Sequence, residues 1–272
     1  MGKNIKISIL ATCLLFAAVV SASQTTNLLP INDGTYKNWT PSTGAVHYTL
    51  VDENACNGTT DYLYTSTISS RDSFGVNIST VPNGAQITQI NVTPCASRNA
   101  GGGVNPIMNV FYRMDGVDSA DAGAYTLTGT TPTQLLATTF NGLSVIKTPN
   151  TSLESGAVLT SGSKGARLSR LATVITYTAL TAPASTTATT VSSTQIDLAW
   201  IDTTTFEDGF VIERRGNTAS SSYQVIATTS ANTTSYSDTN LSASNTYTYK
   251  LRAYNIGGFS AYSNAASSTT NF

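Results

Sequence analysis

Short runs of alternating apolar and polar residues, separated by clusters of Gly, Asn, Pro and Ser, recur along most of the chain. A period of two places successive side chains on opposite faces of a strand, so the pattern predicts many short β-strands. The strands predicted in the first half are 47–51, 62–67, 87–93, 107–114, 135–140 and 167–177. Runs of strong helix formers do not occur after residue 22. The pattern therefore predicts an all-β protein made of sandwiches of short strands.

Turn and loop signals divide these predicted strands. Asp33-Gly34 and Asp115-Gly116 predict turns. Three consecutive glycines within 99–103 predict a loop, since they do not support a regular strand. Residues 178–184, which include a proline, predict a linker between two domains.

The second half has a more specific pattern. Ile196, Leu198 and Trp200 alternate and share one strand face. A turn at 207–209 precedes a predicted strand at 210–214, another strand is predicted at 223–228, and a long polar–aromatic run ends near Asn255. With Tyr247 six residues after Leu241, these features make residues 182–270 resemble a fibronectin type III domain. The resemblance implies a sandwich related in architecture to immunoglobulin domains, Tyr247 as its tyrosine corner, and a spacer role for the module.

The first domain, predicted at 24–179, resembles jelly-roll-type sandwich modules of bacterial secreted and phage tail proteins. The resembling pieces are Asn32-Asp33-Gly34 leading to Trp39, the segment 47–53, and the closing strand at 174–177. This resemblance carries no agreed activity. Together the two resemblances imply a jelly-roll-like β-sandwich followed by a fibronectin type III, immunoglobulin-like sandwich.

The N-terminus has the pattern of a secretory leader. Lys3 and Lys6 precede an apolar stretch at 7–20, and small residues end at Ala22. We expect residues 1–22 to be a signal peptide and the mature protein to be secreted or displayed at the cell surface. The apolar stretch is shorter than the roughly 20 residues of a membrane span, so no membrane span is expected.

Cleavage after Ala22 would remove Cys13 and leave Cys56 and Cys95. An even pair in an exported protein predicts one disulfide, which would close a loop of about 40 residues. The alternative is two buried thiols. Two cysteines and a distant histidine do not provide the four ligands of a structural zinc site.

Composition argues against several functions. Charged residues make up 11 % of the chain and the formal net charge is −1, so nothing favours nucleic acid or an anionic membrane as partner. The chain has one histidine, His47, and lacks the G-x-S-x-G, H-E-x-x-H and phosphate-loop motifs. We expect no catalytic residues and no cofactor, with His47 a packed or surface residue of a strand.

Two kinds of binding site remain as hypotheses. Tyr36 and Trp39 are candidates for an aromatic platform that binds sugar rings, although Trp39 capping the core is the alternative. Asp52, Asn54 and Asp61 are candidate calcium ligands, and Asp115, Asp118 and Asp121 are a second set; solvated turns are the alternative for both. Asp52, Glu53 and Asp61 are also the carboxylates that a glycoside hydrolase would need.

Three functions follow from these features. The first is a secreted, non-catalytic binding or adhesion protein for an extracellular glycan or protein. Its ligand site would be in the first domain, at loops such as 97–105 and 115–123, with the second domain as spacer. The second is a self-associating structural subunit of an extracellular filament, sheath or matrix. The third is a small glycan-acting enzyme.

Overall fold

The computed structural model describes residues 22–44, 46–56, 61–216 and 221–272. The predicted leader, residues 1–22, lies outside the described residues except for Ala22. The described residues form β-strands and one short 3₁₀ helix, which confirms the all-β prediction. No helix among them is long and apolar enough to cross a membrane.

The first sandwich contains strands β1 to β14 and the 3₁₀ helix. In chain order these are β1 (Ser23–Gln24), β2 (Pro30–Lys37), β3 (Thr40–Pro41), the 3₁₀ helix (His47–Leu50), β4 (Leu63–Thr65), β5 (Arg71–Val76), β6 (Gln86–Arg98), β7 (Ile107–Met114), β8 (Val117–Asp118), β9 (Ala122–Thr126), β10 (Thr133–Gln134), β11 (Thr138–Phe140), β12 (Val145–Ile146), β13 (Leu153–Ser161) and β14 (Ala166–Thr178).

These strands form two antiparallel sheets. One has the order β10-β6-β14-β4-β3, with β11 and β12 also along β6 and β1 along β14; the other has the order β2-β5-β13-β7-β8, with β9 along β7. The pairing is nested: β4 pairs with β14, β5 with β13, β6 with β11 and β12, and β7 with β9. A long antiparallel hairpin rolled into two sheets has this pairing, which is the topology of a jelly roll.

The core of the first sandwich lies between its two sheets. Register places Phe74, Ala157 and Val110 on the inner face of the second sheet, and all three are fully buried. Ile90 and Leu171 of the facing sheet are also fully buried. In the two facing sheets, the alternation of apolar and polar residues therefore places apolar side chains between the sheets and polar side chains on the outside.

The second sandwich follows as β15 (Ala184–Thr190), β16 (Ile196–Ile201), β17 (Gly209–Arg215), β18 (Gln224–Ser230), β19 (Ser235–Asp238), β20 (Thr246–Asn255), β21 (Gly258–Phe259) and β22 (Ala266–Thr269). One sheet is β15-β16-β19 and the other is β18-β17-β20-β21, with β22 along β20. Leu180, which lies in the predicted linker, packs in the same buried cluster as Trp200 and Phe210.

Two local predictions were wrong. The segment predicted as a strand at 47–51 begins with the 3₁₀ helix, because Asp33 accepts the Tyr48 N–H and the Thr49 hydroxyl bonds to the Val46 carbonyl. These local bonds satisfy polar groups that a strand would have paired with a neighbour. Asp33-Gly34 is not a turn: both residues lie within β2, next to a register shift between Asp33 and Lys37.

Other elements agree with the sequence more closely. Strand β7 coincides with the predicted 107–114, and residues 99–103 lie outside the strands. Asp115 and Gly116 have φ values of 49° and 84°, which is the geometry of a type I′ hairpin turn.

The strand predicted at 135–140 is present only in part: β10 ends at Gln134 and β11 begins at Thr138.

Candidate functional site

Trp39 is not an exposed platform, which corrects its assignment as a sugar-binding residue. Its side chain is 2 % exposed and its indole Nε1 donates a hydrogen bond of 2.9 Å to the Ser70 carbonyl. A large apolar ring at the end of β2 is stabilised by burial once its N–H has a partner. The alternative reading, that Trp39 packs in the core, is the correct one.

Tyr36 is held in a network on the outer face of the second sheet. Its hydroxyl donates to Asp118 at 2.7 Å, and its ring meets Phe111 edge-on at 5.9 Å. The Arg71 and Arg113 guanidinium carbons lie 5.7 and 5.8 Å from the ring centre. The bond to Asp118 raises the pKa of Tyr36 above its ordinary value. Because its hydroxyl and ring are occupied by neighbours, Tyr36 is an anchored residue of this face.

The second calcium candidate is an arginine-paired cluster. Asp118 accepts from Arg113 at 2.6 Å, and Asp121 accepts from Arg71 at 2.6 Å. Burial raises the pKa of Asp118, but the bonds from Tyr36 and Arg113 outweigh it and lower that pKa below its ordinary value. Asp115 instead accepts the N–H of Ser152, the residue before the neighbouring strand β13. These carboxylates serve side-chain and backbone donors, so they do not form the predicted cation site.

The Cys56–Cys95 disulfide is confirmed, with the two Cα atoms 5.6 Å apart. Cys95 lies in β6 and is fully buried, and the Ser169 hydroxyl donates to its Sγ at 3.1 Å. The bond therefore attaches the segment before Cys56 to β6, an interior strand of the first sheet.

The predicted calcium ligands Asp52, Asn54 and Asp61 do not all line the same cleft. Asp52 and Asn54 line one cleft, but Asp61 does not line it. Asp61 instead shares a hydrogen bond with Glu53, which raises the pKa of Glu53 above its ordinary value. No group of three or more acidic, His or Cys side chains within the described residues has the arrangement of a metal site.

His47 and Asp72 form a closely packed pair between the 3₁₀ helix and β5. The His47 Nδ1 lies 2.7 Å from Asp72 Oδ2, and the Asp72 side chain is fully buried. Burial raises the pKa of Asp72 to about 7, although the hydrogen bond with His47 opposes the shift. The sequence predicted His47 to be a packed or surface residue of a strand, whereas it lies in the 3₁₀ helix. Its acidic partner, on the inner face of a sheet, was missed.

The first sandwich has an open groove, which we call the Ile31 groove. It consists of two adjoining clefts, of about 420 and 490 Å³, that share Ile31 and Asn77. Ile31 is 52 % exposed and lines both clefts, so an exposed apolar side chain lies where the two clefts meet. Clefts of this size with mixed walls are the usual form of small-ligand sites.

The two ends of the groove differ in charge. The smaller cleft contains Asp52 and Asn54, which the disulfide holds close to β6. The larger cleft contains Lys147, and its described lining includes no carboxylate. The groove thus has an acidic end and a basic end on either side of Ile31.

Sequence reasoning missed most of this groove, because its residues come from four distant segments. Residues of the predicted binding loops 97–105 and 115–123 line neither cleft. The sequence analysis singled out only the oxygen-bearing pair Asp52 and Asn54. The single Lys147 within an otherwise uncharged stretch was a further, unused signal.

The second sandwich has the internal contacts expected from its sequence. The Tyr247 hydroxyl accepts the Ser242 N–H at 3.1 Å, which is the contact of a tyrosine corner. Trp200 is buried and meets Phe210 edge-on at 5.5 Å. Asp238, also buried, accepts from Arg214 at 2.8 Å and from the Tyr249 hydroxyl at 2.8 Å, and burial raises the pKa of Tyr249.

An outer face of the second sandwich was also missed from the sequence. Lys250 Nζ lies 3.6 Å from the Tyr262 ring centre and the Arg252 guanidinium lies 4.0 Å from that of Phe259. Glu213 pairs with both cations. The sequence signal for this face was the spacing of Lys250 and Arg252, which are two residues apart in β20 and therefore lie on the same side of the strand.

Comparison with known proteins addresses the second sandwich. The family model of the fibronectin type III domain matches residues 181–269. Among curated proteins nothing matches the chain.

Similar solved structures cover the same part of the chain. One described as a myokine structure is 19 % identical, with 35 % of this chain and 100 % of that chain covered and a TM-score of 0.30. A fibronectin type III domain of human collagen XX is 21 % identical, covers 34 % of this chain and 92 % of its own, and has a TM-score of 0.30. A structure of titin kinase and its flanking domains is 21 % identical, with 33 % of this chain and 17 % of that chain covered and a TM-score of 0.30.

The family model, the tyrosine corner and the two-sheet order agree on the same residues. Residues 181–269 of this chain are a fibronectin type III domain.

Proposed function

We propose that this chain is an extracellular, non-catalytic binding protein that holds its ligand in the Ile31 groove, with the fibronectin type III domain as spacer. The observation that carries the proposal is the exposed Ile31 between two clefts that bear opposite charges. Exposed apolar surface rimmed by polar groups marks sites of interaction. An extracellular glycan or protein would contact Ile31 with its apolar face and the clefts with its polar groups.

Export is supported by three features that agree. The chain carries the sequence pattern of a leader, a disulfide, and a domain of a family common in extracellular proteins. Disulfides persist in oxidising compartments. The protein would therefore act outside the cell or at its surface.

A binding role fits the acidic groups better than catalysis does. Glycoside hydrolases hold their two carboxyl groups about 5 Å or more apart, with substrate between them. Glu53 and Asp61 are instead hydrogen-bonded to each other, and Asp72 is buried against His47. Neither pair leaves room for a scissile bond.

The alternative, a self-associating structural subunit, is favoured by a different surface. Phe259 and Tyr262 are 54 % and 39 % exposed beside the Lys250–Arg252 row. Such a face on a second copy of the chain would pack by aromatic and cation–π contacts.

A glycan array probed with mature chain 23–272 tests the binding proposal, with Ile31→Asp as the disrupting variant. Ile68→Asp is the matched control, since Ile68 is 54 % exposed and lines neither cleft. We expect Ile31→Asp to lose the array signal and Ile68→Asp to keep it. Equal signals from both variants would exclude the groove.

Two further measurements address the other functions. Size-exclusion chromatography of the mature chain and of Phe259→Asp tests self-association; an assembly that Phe259→Asp dissolves would favour the structural subunit. A turnover assay on every glycan that binds tests catalysis, and release of a product would overturn the non-catalytic assignment.

A further inference from the structure

Lys147 is a buried cation whose partners are all neutral. It follows β12 and is 6 % exposed, and its Nζ donates to Asn83 Oδ1 at 2.6 Å and to the Thr148 carbonyl at 3.2 Å. Among the described residues, none of the ion pairs includes Lys147. Lysine is almost never this buried without an opposite charge, because removing an ammonium from water is costly.

The two asparagine side chains near Lys147 each accept a hydrogen bond through the amide oxygen. Asn83 Oδ1 accepts from Lys147, and Asn77 Oδ1 accepts the Ser79 N–H at 2.9 Å. Within the described part of the chain, neither amide nitrogen makes a hydrogen bond, and both residues are exposed. The third N–H of the Lys147 ammonium is also unused by the two bonds above. The cleft therefore has three donors that these bonds leave available: the third ammonium N–H of Lys147 and the amide N–H groups of Asn77 and Asn83.

The walls of the cleft are suited to an organic ligand. Ile31, Val76, Ile78 and Pro149 line it together with the amides and hydroxyls. Apolar walls remove water from around the Lys147 ammonium, which strengthens its attraction for an opposite charge. Amide groups and the Ser79 hydroxyl match the hydroxyl groups of a sugar ring.

We propose that the Lys147 end of the Ile31 groove binds the carboxylate or sulfate of an acidic saccharide. This inference rests on the proposed binding function and names its ligand class. The anionic group accepts from Lys147 Nζ and from the Asn77 and Asn83 amides, and the sugar ring lies against Ile31. Charge-assisted bonds of this kind are about twice as strong as neutral ones.

The test is a titration of the isotope-labelled mature chain followed by NMR, with sodium glucuronate and with glucose as the uncharged match. We expect glucuronate to shift the amide signals of Asn77, Asn83 and Lys147, with glucose at least about tenfold weaker. Glucose 6-sulfate should shift the same signals, and comparing its affinity with that of glucuronate shows whether the site prefers a sulfate or a carboxylate. Equal shifts from glucose and glucuronate would overturn the anionic site while leaving saccharide binding in the groove intact.

Two further probes test the sugar itself. If acetate or N-acetylalanine at the same concentration shifts these signals as strongly as glucuronate, the saccharide assignment is wrong. If glucuronate and the array both give no groove-dependent binding, the proposed function fails as well. The two failures are therefore distinguishable.

Lys147→Met is the disrupting variant, and Lys164→Met is its control, because Lys164 also donates to an asparagine side chain, Asn105, at 3.0 Å but lies outside the groove. We expect Lys147→Met to weaken glucuronate binding by about tenfold or more and Lys164→Met to leave it unchanged. Because the methionine removes an uncompensated buried charge, the melting temperature without ligand should be kept or raised. Lys147→Arg should retain part of the affinity. Unchanged binding in a folded Lys147→Met protein would overturn the site.

Discussion

The Asn255 side-chain amide donates a buried hydrogen bond of 2.9 Å to the Gly84 carbonyl, joining the fibronectin type III domain to the first sandwich. Asn255 Oδ1 accepts the Gly257 N–H at 3.0 Å, and a Cβ at Gly257 would collide with the Lys147 carbonyl. Gly84 and Lys147 are themselves bonded through the Gly84 N–H at 2.8 Å. The second domain therefore abuts the loop that carries the basic end of the groove.

Asn255→Ala should weaken this junction. It removes these two bonds and a longer bond of 3.4 Å to the Phe206 carbonyl, and it leaves the Gly84 carbonyl buried without a partner, which costs about 1–3 kcal/mol in the full chain. In an isolated domain 179–272, which keeps Leu180, only the bonds to Gly257 and Phe206 are lost, so the cost should be smaller. Urea unfolding of both proteins measures the difference.

Asn264→Ala is the control for this comparison. Asn264 makes two bonds to the Thr186 backbone, at 2.9 and 2.8 Å, within one domain. Asn264→Ala should lower the free energy of unfolding equally in the full chain and in the isolated domain. An equal cost for Asn255→Ala in both proteins would show that the contact with Gly84 contributes nothing.

Trp200→Ala should destabilise the fibronectin type III domain by about 3–5 kcal/mol, because it removes a buried aromatic ring and leaves a cavity. Trp200 is 4 % exposed, and its Nε1 has no hydrogen-bond partner. Trp200→Phe should therefore cost less than half as much, since it sacrifices no hydrogen bond. Chemical unfolding of the isolated domain measures both; a loss below about 1 kcal/mol for Trp200→Ala would contradict its role in the core.

Replacing Cys56 and Cys95 together by Ser should lower the unfolding free energy of the first sandwich by about 4 kcal/mol, from the loop of 39 residues that the disulfide closes. Asp52 and Asn54 are carried by the segment that the bond attaches, so ligand contact at that end of the groove should weaken too. Calorimetry of the mature chain checks the prediction. The unfolding of the second domain provides the internal control, and an unchanged first transition would contradict the prediction.

The buried Asp72 should make the first sandwich less stable as pH rises. Burial raises its pKa from 3.8 to about 7, so between these values the folded chain holds a proton that the unfolded chain has lost. The free energy of unfolding then falls with increasing pH across this window, by at most about 1.4 kcal/mol per pH unit. The opposing charges at this carboxyl are His47, which lowers the pKa, and Asp33, which raises it.

Asp72→Asn tests this assignment, because the amide keeps a polar contact with His47 and cannot ionise. Urea unfolding between pH 4 and 8 should show a smaller decline for the variant than for the native chain. Identical pH profiles would mean that Asp72 titrates alike in the folded and unfolded states.

Local patterns were sufficient for the second domain. Ile196, Leu198 and Trp200 alternate along one strand, and all three are buried, because the period of a strand is a property of neighbouring residues.

Two features of the first sandwich were also predictable from local sequence. The Asp115-Gly116 turn was one, since its two positive φ angles suit that residue pair. The disulfide followed from the number of cysteines left after the predicted leader.

Contacts between distant segments were beyond such patterns. Whether Trp39 faces solvent or core depends on Ser70 in another part of the chain, and the 3₁₀ helix depends on Asp33 accepting from Tyr48. The Ile31 groove requires the segments around residues 30, 52, 77 and 147 to meet, and the jelly-roll pairing of early with late strands is what brings them together. Alternation assigns each side chain to one face of its own strand; only the packing of strands far apart in sequence assigns neighbours to that face, and binding sites are made of neighbours.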